Sequence, residues 1–390
     1  MRTWLFDETV WDPPPSRWPG MARLLIDWHE PLLRDMPWRN TSDPYHIWIS
    51  EVMLHQTQVR TVIPYYRRFL EAFPSFRALS AAPLDQVLKL WEGLGYYARA
   101  RNLHAAARLI VEKHGGRIPG TRRELLDLPG IGPYTAGALL SIVHGQDEAV
   151  VDGNVIRVLC RVFDIRQDPS RSATRRTLWE LARRMLPSGK ASHFNQALMD
   201  LGSVVCKPRA PLCSDCPWLE YCRAEHLGLQ GQRPVRTARG TVPHYDIAVG
   251  VIWKDGYVLI AKRPASGLLG GLWEFPGGKV ENGETLEATL LREVREELDV
   301  EIDDVRAFMV VKHAYTHFRV TLHVMHCRYL SGEPQCRACA DWRWEKIGVL
   351  QHYAFPIANR RIIAALQRDD VAQCATSSLN PSSVNSALLA

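Results

Sequence analysis

Four cysteines, Cys206, Cys213, Cys216 and Cys222, lie within seventeen residues in the spacing C-x6-C-x2-C-x5-C, and they constrain this chain more than any other feature. The opening residues, MRTWLFDETVWDPPPSRWPG, carry acids and prolines where a secretory leader needs a basic start and an apolar run. The chain is therefore expected to be cytoplasmic, where clustered thiols are metal ligands more often than disulfides. Four thiolates from one short loop suit zinc or an iron–sulfur cluster. Structural zinc sites usually pair two short knuckles, and only one gap here is short, so the wide gaps favour a 4Fe–4S cube.

The 390 residues leave room for two or three domains. Charged residues make up 23% and hydrophobic ones 46%, and no apolar run reaches the roughly 18 residues of a membrane helix, so a soluble chain without a membrane partner is expected. The net charge of +6 is concentrated in the first half and in residues 227–245, which hold three arginines and no acid. That balance permits a polyanionic partner without requiring one.

Upstream of the cysteines, apolar residues recur at helical spacing, as in Leu84–Trp91 and Arg101–Val111, between Gly/Pro breaks. Residues 20–226 are expected to be nearly all helix. Residues 227–245 lack periodicity and read as a solvated linker. Beyond them, Ile247–Trp253 and Tyr257–Ile260 flank an Asp255-Gly256 turn, Arg319–Tyr329 reads as a strand, and Thr285–Leu298 has helical charge spacing. The expected division is an all-α domain over 1–226 with its cysteine loop at 206–222, a linker at 227–245, an α+β domain over 246–368 and a disordered tail at 369–390.

Three motifs upstream could carry chemistry. In LPGIGPYTAGA, Gly130 and Gly132 allow a tight turn whose amides and following helix N-terminus can hold a phosphate without reading a base; such turns also merely connect helices. Asp152, in VVDGNV, is either a functional carboxylate or a helix cap. Glu51 interrupts the apolar IWISEVML, where burial would keep it protonated as a general acid, unless a nearby arginine pairs with it.

Together, PWR (37–39), SEVMLHQTQV (50–59), WEGLGYYARARNLH (91–104), LPGIGPYTAGA, VDGNVIRV and the four cysteines closely resemble the helix-hairpin-helix DNA glycosylases, and within them the adenine DNA glycosylases of the MutY type, over residues 20–365. The resemblance implies a monofunctional hydrolase that flips adenine, mispaired with 8-oxoguanine or guanine, out of double-stranded DNA. Glu51 would protonate the base and Asp152 would stabilise the oxocarbenium-like sugar, with Tyr134 and Asn154 orienting the pair. Arg34, Trp38, Arg39, Leu54 and Gln196 match the adenine pocket, Gln56 and Tyr96 the wedge, and Gly130 and Gly132 the DNA-gripping hairpin. Bifunctional relatives carry a Schiff-base lysine where this chain has Tyr134. His55 departs from the family's usual Gln.

The second half nearly completes a Nudix box, from Gly278 and Glu284 to Arg292-Glu293-Val294-Arg295-Glu296-Glu297-Leu298-Asp299-Val300, with Asp299 where the box expects glycine. Glu293, Glu296 and Glu297 share a helix face that could hold Mg²⁺ or be a solvated surface. By resemblance this domain reads 8-oxoguanine through Tyr315, Thr316 and His317. The expected architecture is a monomeric multidomain chain: an all-α helix-hairpin-helix glycosylase domain with one 4Fe–4S cluster, followed by an α+β Nudix-like domain. The competing readings are a glycosylase of the endonuclease III type, a Nudix nucleotide pyrophosphatase tethered to DNA, and a redox-sensing binding module without catalysis.

Overall fold

The computed structural model describes residues 13–32, 36–237, 241–315 and 317–377, the last nine of these by backbone only. The chain divides into two compact units, residues 1–81 with 102–239, and 82–101 with 240–390. The helices are α1 (Trp18–His29), α2 (Pro44–Leu54), α3 (Val59–Ala72), α4 (Phe76–Ala81), α5 (Leu84–Trp91), α6 (Ala98–His114), α7 (Arg122–Leu126), α8 (Pro133–Ile142), α9 (Gly153–Val162), α10 (Ser172–Met185), α11 (Ala191–Asp200), α12 (Arg223–His226), α13 (Leu286–Leu298) and α14 (Ile357–Ser377).

In the first unit, local chemistry starts each functional helix. Asp43 caps α2 by accepting from the Tyr45 amide at 2.8 Å, with Pro44 at the first helical position. Thr121 caps α7, and Pro133 opens α8 directly after the Pro129–Gly132 turn. Asp152 caps α9 through a 2.7 Å bond from the Val155 amide. The core joins α1, α9, α10 and α11 through Met21, Leu25, Val158, Leu159, Leu181 and Phe194. Trp218, within the cysteine loop, is fully buried in this core and donates to the Met21 carbonyl at 2.8 Å. Truncating it to alanine would cost about 3–5 kcal/mol.

In the second unit, β1 (His244–Lys254), β2 (Tyr257–Lys262), β3 (Trp273–Glu274), β4 (Gly277–Lys279), β5 (Glu301–Ala314), β6 (Arg319–Ser331) and β7 (Asp341–Glu345) form one mixed sheet. The path is β3-β2-β1-β6-β5, with β4 added to β1 and β7 to β2. β1 runs parallel to β6, from His244 opposite Arg319 to Trp253 opposite Arg328; the other pairs are antiparallel. Residues of β1 are buried on both faces, which is why the strand reads as a continuous apolar run. Ala248 and Ile252 meet Leu290, Val294 and Leu298 of α13, while Val249 and Val251 share the opposite core with Ile362, Ile363 and Leu366 of α14. The Asp255-Gly256 turn has positive φ at both positions (49° and 80°), as a two-residue hairpin requires.

The structure departs from the sequence reading in three places. Residues 82–101, read as part of the helical domain, pack in the second unit. The connector is not a solvated linker throughout: Arg233 ion-pairs with Asp164 at 2.7 Å, the Thr237 amide donates to Asp168 at 2.7 Å, and β1 already begins at His244. Paired side chains, invisible to periodicity, hold it. The tail expected to be disordered from 369 instead continues α14 to Ser377; residues 378–390 lie outside the described residues.

Candidate active site

Glu51 lies on α2, a helix so apolar that every residue from Ile47 to Met53 is buried. Burial pushes its carboxyl up to about 7; the Tyr134 hydroxyl, donating to Oε2 at 2.9 Å, opposes that shift, and Asp152 adds to it. The alternative arginine pairing is not a direct bond with Arg39, whose Nη1 donates to Asp200 Oδ2 at 2.7 Å while its charge works mildly against the rise. Tyr134 reaches Glu51 because Pro133 sets the start of α8; burial also raises the phenol well above its ordinary range.

Asp152 is the helix cap that one reading of its motif expects, and its second oxygen is held as well. Oδ1 caps α9, while Oδ2 accepts from Asn154 Nδ2 at 2.8 Å. Asn154 is itself oriented, since its Oδ1 accepts from Arg157 Nη2 at 2.8 Å. Burial raises the Asp152 carboxyl, and the bonds from Val155 and Asn154 and the charge of Arg157 work against that.

These groups line one cavity of about 240 Å³ together with Met36, Trp38, Arg39, Ser50, Leu54, Gln196, Met199, Asp200 and Ser203. An open groove of about 630 Å³ shares Leu54, Thr57, Tyr134, Asp152 and Asn154 with it and adds Gln56, Gln58, Arg157 and Arg236. Of the residues read as a base pocket, Trp38, Arg39, Leu54 and Gln196 line this cavity; Arg34 lies outside the described residues. His55, the family departure, bonds through Nε2 to the Thr135 hydroxyl at 3.2 Å. Asp200, which also meets His29 Nε2 at 3.0 Å, was missed, although an acid in the apolar HFNQALMDL stretch carries the same signal as Glu51.

Gln56 lines the groove with φ of 59°, and Tyr96 is exposed with φ of 49°, but Tyr96 belongs to the second unit. Positive φ in such residues is uncommon and collects at functional turns. Gly130 has φ of 77°, and a Cβ there would meet Asn102 Cβ at 2.7 Å, so only glycine fits the hairpin turn; Gly132 is the N-cap of α8. In the second unit, Tyr315 stacks on Phe318 at 4.7 Å and meets His313 edge-on at 4.5 Å, His317 is exposed, and Thr316 lies outside the described residues.

Cys206, Cys213, Cys216 and Cys222 surround one small hollow with Arg161. Burial and the neighbouring thiols push Cys216 up to about 12 and Cys222 up to about 11, so these thiols need bound cations to ionise together. Among the described residues no three donors come close enough to hold a single metal ion. Four thiols around one hollow are the donor set that a 4Fe–4S cluster or a zinc ion takes. Arg161, almost fully buried, donates to Cys206 Sγ at 3.3 Å, to the Lys207 and Pro208 carbonyls, and to Gln230 and Arg233 beyond the loop.

Among the described residues no three acids on α13 are grouped to hold a metal ion. Arg292 bonds Glu284 at 2.8 Å, Glu293 at 3.0 Å and Glu296 at 3.2 Å, holding Glu284 down at about 2, while burial and the adjacent Glu274 and Glu293 push Glu297 up to about 7. Asp299, the departure from the box, takes the left-handed C-cap conformation (φ 58°) that favours glycine, and Arg337 pairs with it at 2.7 Å.

The HhH-GPD superfamily of base excision DNA repair proteins matches residues 49–184, which include Glu51, the hairpin and Asp152; the NUDIX domain family matches residues 248–365. The chain is 35% identical over 379 residues to an adenine DNA glycosylase of Rattus norvegicus, covering 83% of this chain and 73% of that one. It is 32% identical over 391 residues to an adenine DNA glycosylase of Schizosaccharomyces pombe, covering 86% and 80%. The solved structure of a thermostable thymine-DNA glycosylase is similar over 54% of this chain and 98% of that one, with 31% identity and a TM-score of 0.50. With Glu51 and Asp152 on one cavity, a family match that spans them, and relatives of this kind along most of its length, the chain belongs to the adenine DNA glycosylases, enzymes of base excision repair.

Proposed function

We propose that this chain hydrolyses the N-glycosidic bond of adenine paired with 8-oxoguanine or guanine, releasing the base without cutting the strand. The observation that carries this reading is that Glu51 and Asp152 border the same cavity in unlike environments. Glu51 keeps its proton near neutrality because it is buried; burial raises Asp152 too, but its capping and amide donors work against that rise and favour its anion. An extruded adenine enters beside Trp38, Leu54 and Gln196, at an unstacking cost of a few kcal/mol. Glu51 gives its proton to the base, the bond electrons leave with adenine, and Asp152 stabilises the cationic sugar. Water then adds to that sugar, and the Glu51 carboxylate takes the proton the water releases. Tyr134, a phenol where bifunctional relatives hold a lysine, offers no amine for a Schiff base.

The hairpin at Gly130 and Gly132 is assigned to the DNA backbone, Gln56 and Tyr96 to the gap left in the stack, and Tyr315, Thr316 and His317 to the base opposite adenine. Cys206, Cys213, Cys216 and Cys222 would hold a 4Fe–4S cluster, which when bound supplies the cross-links of its loop. Trp218 and Arg161 seat that loop on the core.

Single-turnover cleavage of a labelled duplex holding one adenine opposite 8-oxoguanine tests the reading. Breaks that form only after alkali and vanish with Asp152→Asn are expected. No base release from protein with a full cluster would overturn it.

A further inference from the structure

The turn that displays Tyr96 belongs to residues 82–101, the stretch that packs with the C-terminal sheet. Its sequence, WEGLGYYAR, reverses through Gly93 and Gly95 at φ of 95° and 76° before Tyr96 at 49°. The turn is braced from within. Trp91 Nε1 donates to the Gly95 carbonyl at 3.1 Å, the Gly93 amide donates to the Tyr97 hydroxyl at 3.1 Å, and Arg99 donates to the Leu94 and Gly95 carbonyls while lying 5.4 Å from the Tyr96 ring. A non-glycine residue in this region persists only where its surroundings over-determine it.

Internal bracing sets the shape of the turn but not where it is held. That role falls to Glu92, the last residue before the reversal and the C-cap of α5. Its carboxylate, 4% exposed, accepts from the Phe355 amide at 2.9 Å, from Lys89 Nζ at 2.7 Å and from Arg360 Nη1. Lys89 also donates to the Tyr353 carbonyl at 2.9 Å. Phe355 is a core residue of the second unit, and Arg360 lies in the first turn of α14. On the far side of the turn, Arg101 donates to the Gly270 carbonyl at 2.8 Å. The chain that carries Tyr96 is therefore fastened on both flanks to the Nudix-like fold, and Glu92 is the buried fastening, four residues from the ring.

We propose that Glu92, completed by Arg360, is a positioning residue for Tyr96, so that the C-terminal unit holds the aromatic wedge in place for entry into the base stack. This rests on the reading of Tyr96 as that wedge. Glu92 touches neither the reacting base nor the sugar; it acts through the turn.

The test uses the full chain and a duplex in which non-hydrolysable 2′-fluoro-2′-deoxyadenosine stands opposite 8-oxoguanine, with 2-aminopurine as its neighbour to report opening of the stack. Glu92→Gln and Arg360→Ala are each expected to lose most of the fluorescence rise and to slow adenine release from the cleavable duplex about tenfold. Arg360 is about half exposed, so its variant tests the proposal even where Glu92→Gln fails to fold. Arg360→Lys should restore the rise in part. In a Tyr96→Ala background neither substitution should add a further loss. A full rise in Arg360→Ala, or losses that multiply with Tyr96→Ala, would overturn the proposal while leaving the glycosylase reading intact. No rise from the unaltered chain would remove the wedge reading itself, and this proposal with it.

Discussion

The chain holds two clusters of carboxylates, one around the buried Glu51 and one on α13 whose Glu296 is exposed, and each contains an acid raised by burial. On α2, burial pushes Glu51 up to about 7, and on α13 it does the same to Glu297. In the first unit, Arg39 is engaged by Asp200, and what meets Glu51 directly is the phenol of Tyr134 beside an open cavity. In the second unit, Arg292 spans Glu284, Glu293 and Glu296, and Arg263 takes Glu274 through both oxygens. Burial alone thus makes a perturbed acid in both places. What sets Glu51 apart is the phenol that donates to it on a cavity shared with Asp152, the setting proposed above for proton transfer.

The largest effect should come from breaking the first cluster. Asp152→Asn keeps the cap geometry but removes the charge opposite the sugar, and base release in single turnover should fall by roughly 10³-fold or more. Glu51→Gln should be similarly inactive but should gain stability. The raised carboxyl favours the folded state below the ordinary carboxylate range and loses that benefit as pH rises through about 7. Unfolding at pH 8 should therefore show the Gln variant more stable by roughly 2 kcal/mol. For the same reason, adenine release by the unaltered enzyme should decline as pH rises through about 7, when Glu51 gives up the proton it must donate.

Of intermediate size is the effect of Cys213→Ser, which should cost about tenfold in duplex affinity through the loosened loop. The β-sheet of the second unit should keep its circular-dichroism signature; unchanged affinity would show that the loop does not serve DNA binding. The smallest effect on glycosylase activity should follow Arg292→Ala. Releasing Glu284, Glu293 and Glu296 should let a divalent cation bind α13 by calorimetry, with adenine release unchanged within about twofold. If no cation binds, something other than Arg292 keeps the second cluster silent.

What the sequence determined by itself was local. A cap, a Pro-Gly reversal, a thiol spacing and an acid amid apolar residues are each set within about twenty residues, where helix geometry and turn chemistry leave few options. Asp152, Gly130, Glu51 and the four cysteines were therefore legible, as were the strands around Asp255-Gly256. Only the tertiary structure decided which long-range partner each polar group took. Tyr134 meets Glu51 across 83 positions, Asp200 claims Arg39 across 161, and Phe355 and Arg360 draw Glu92 and the Tyr96 turn into the C-terminal unit. Such pairings carry no periodicity. They form because a buried polar group without a partner is costly, and the partner available is the one the packed elements bring within reach.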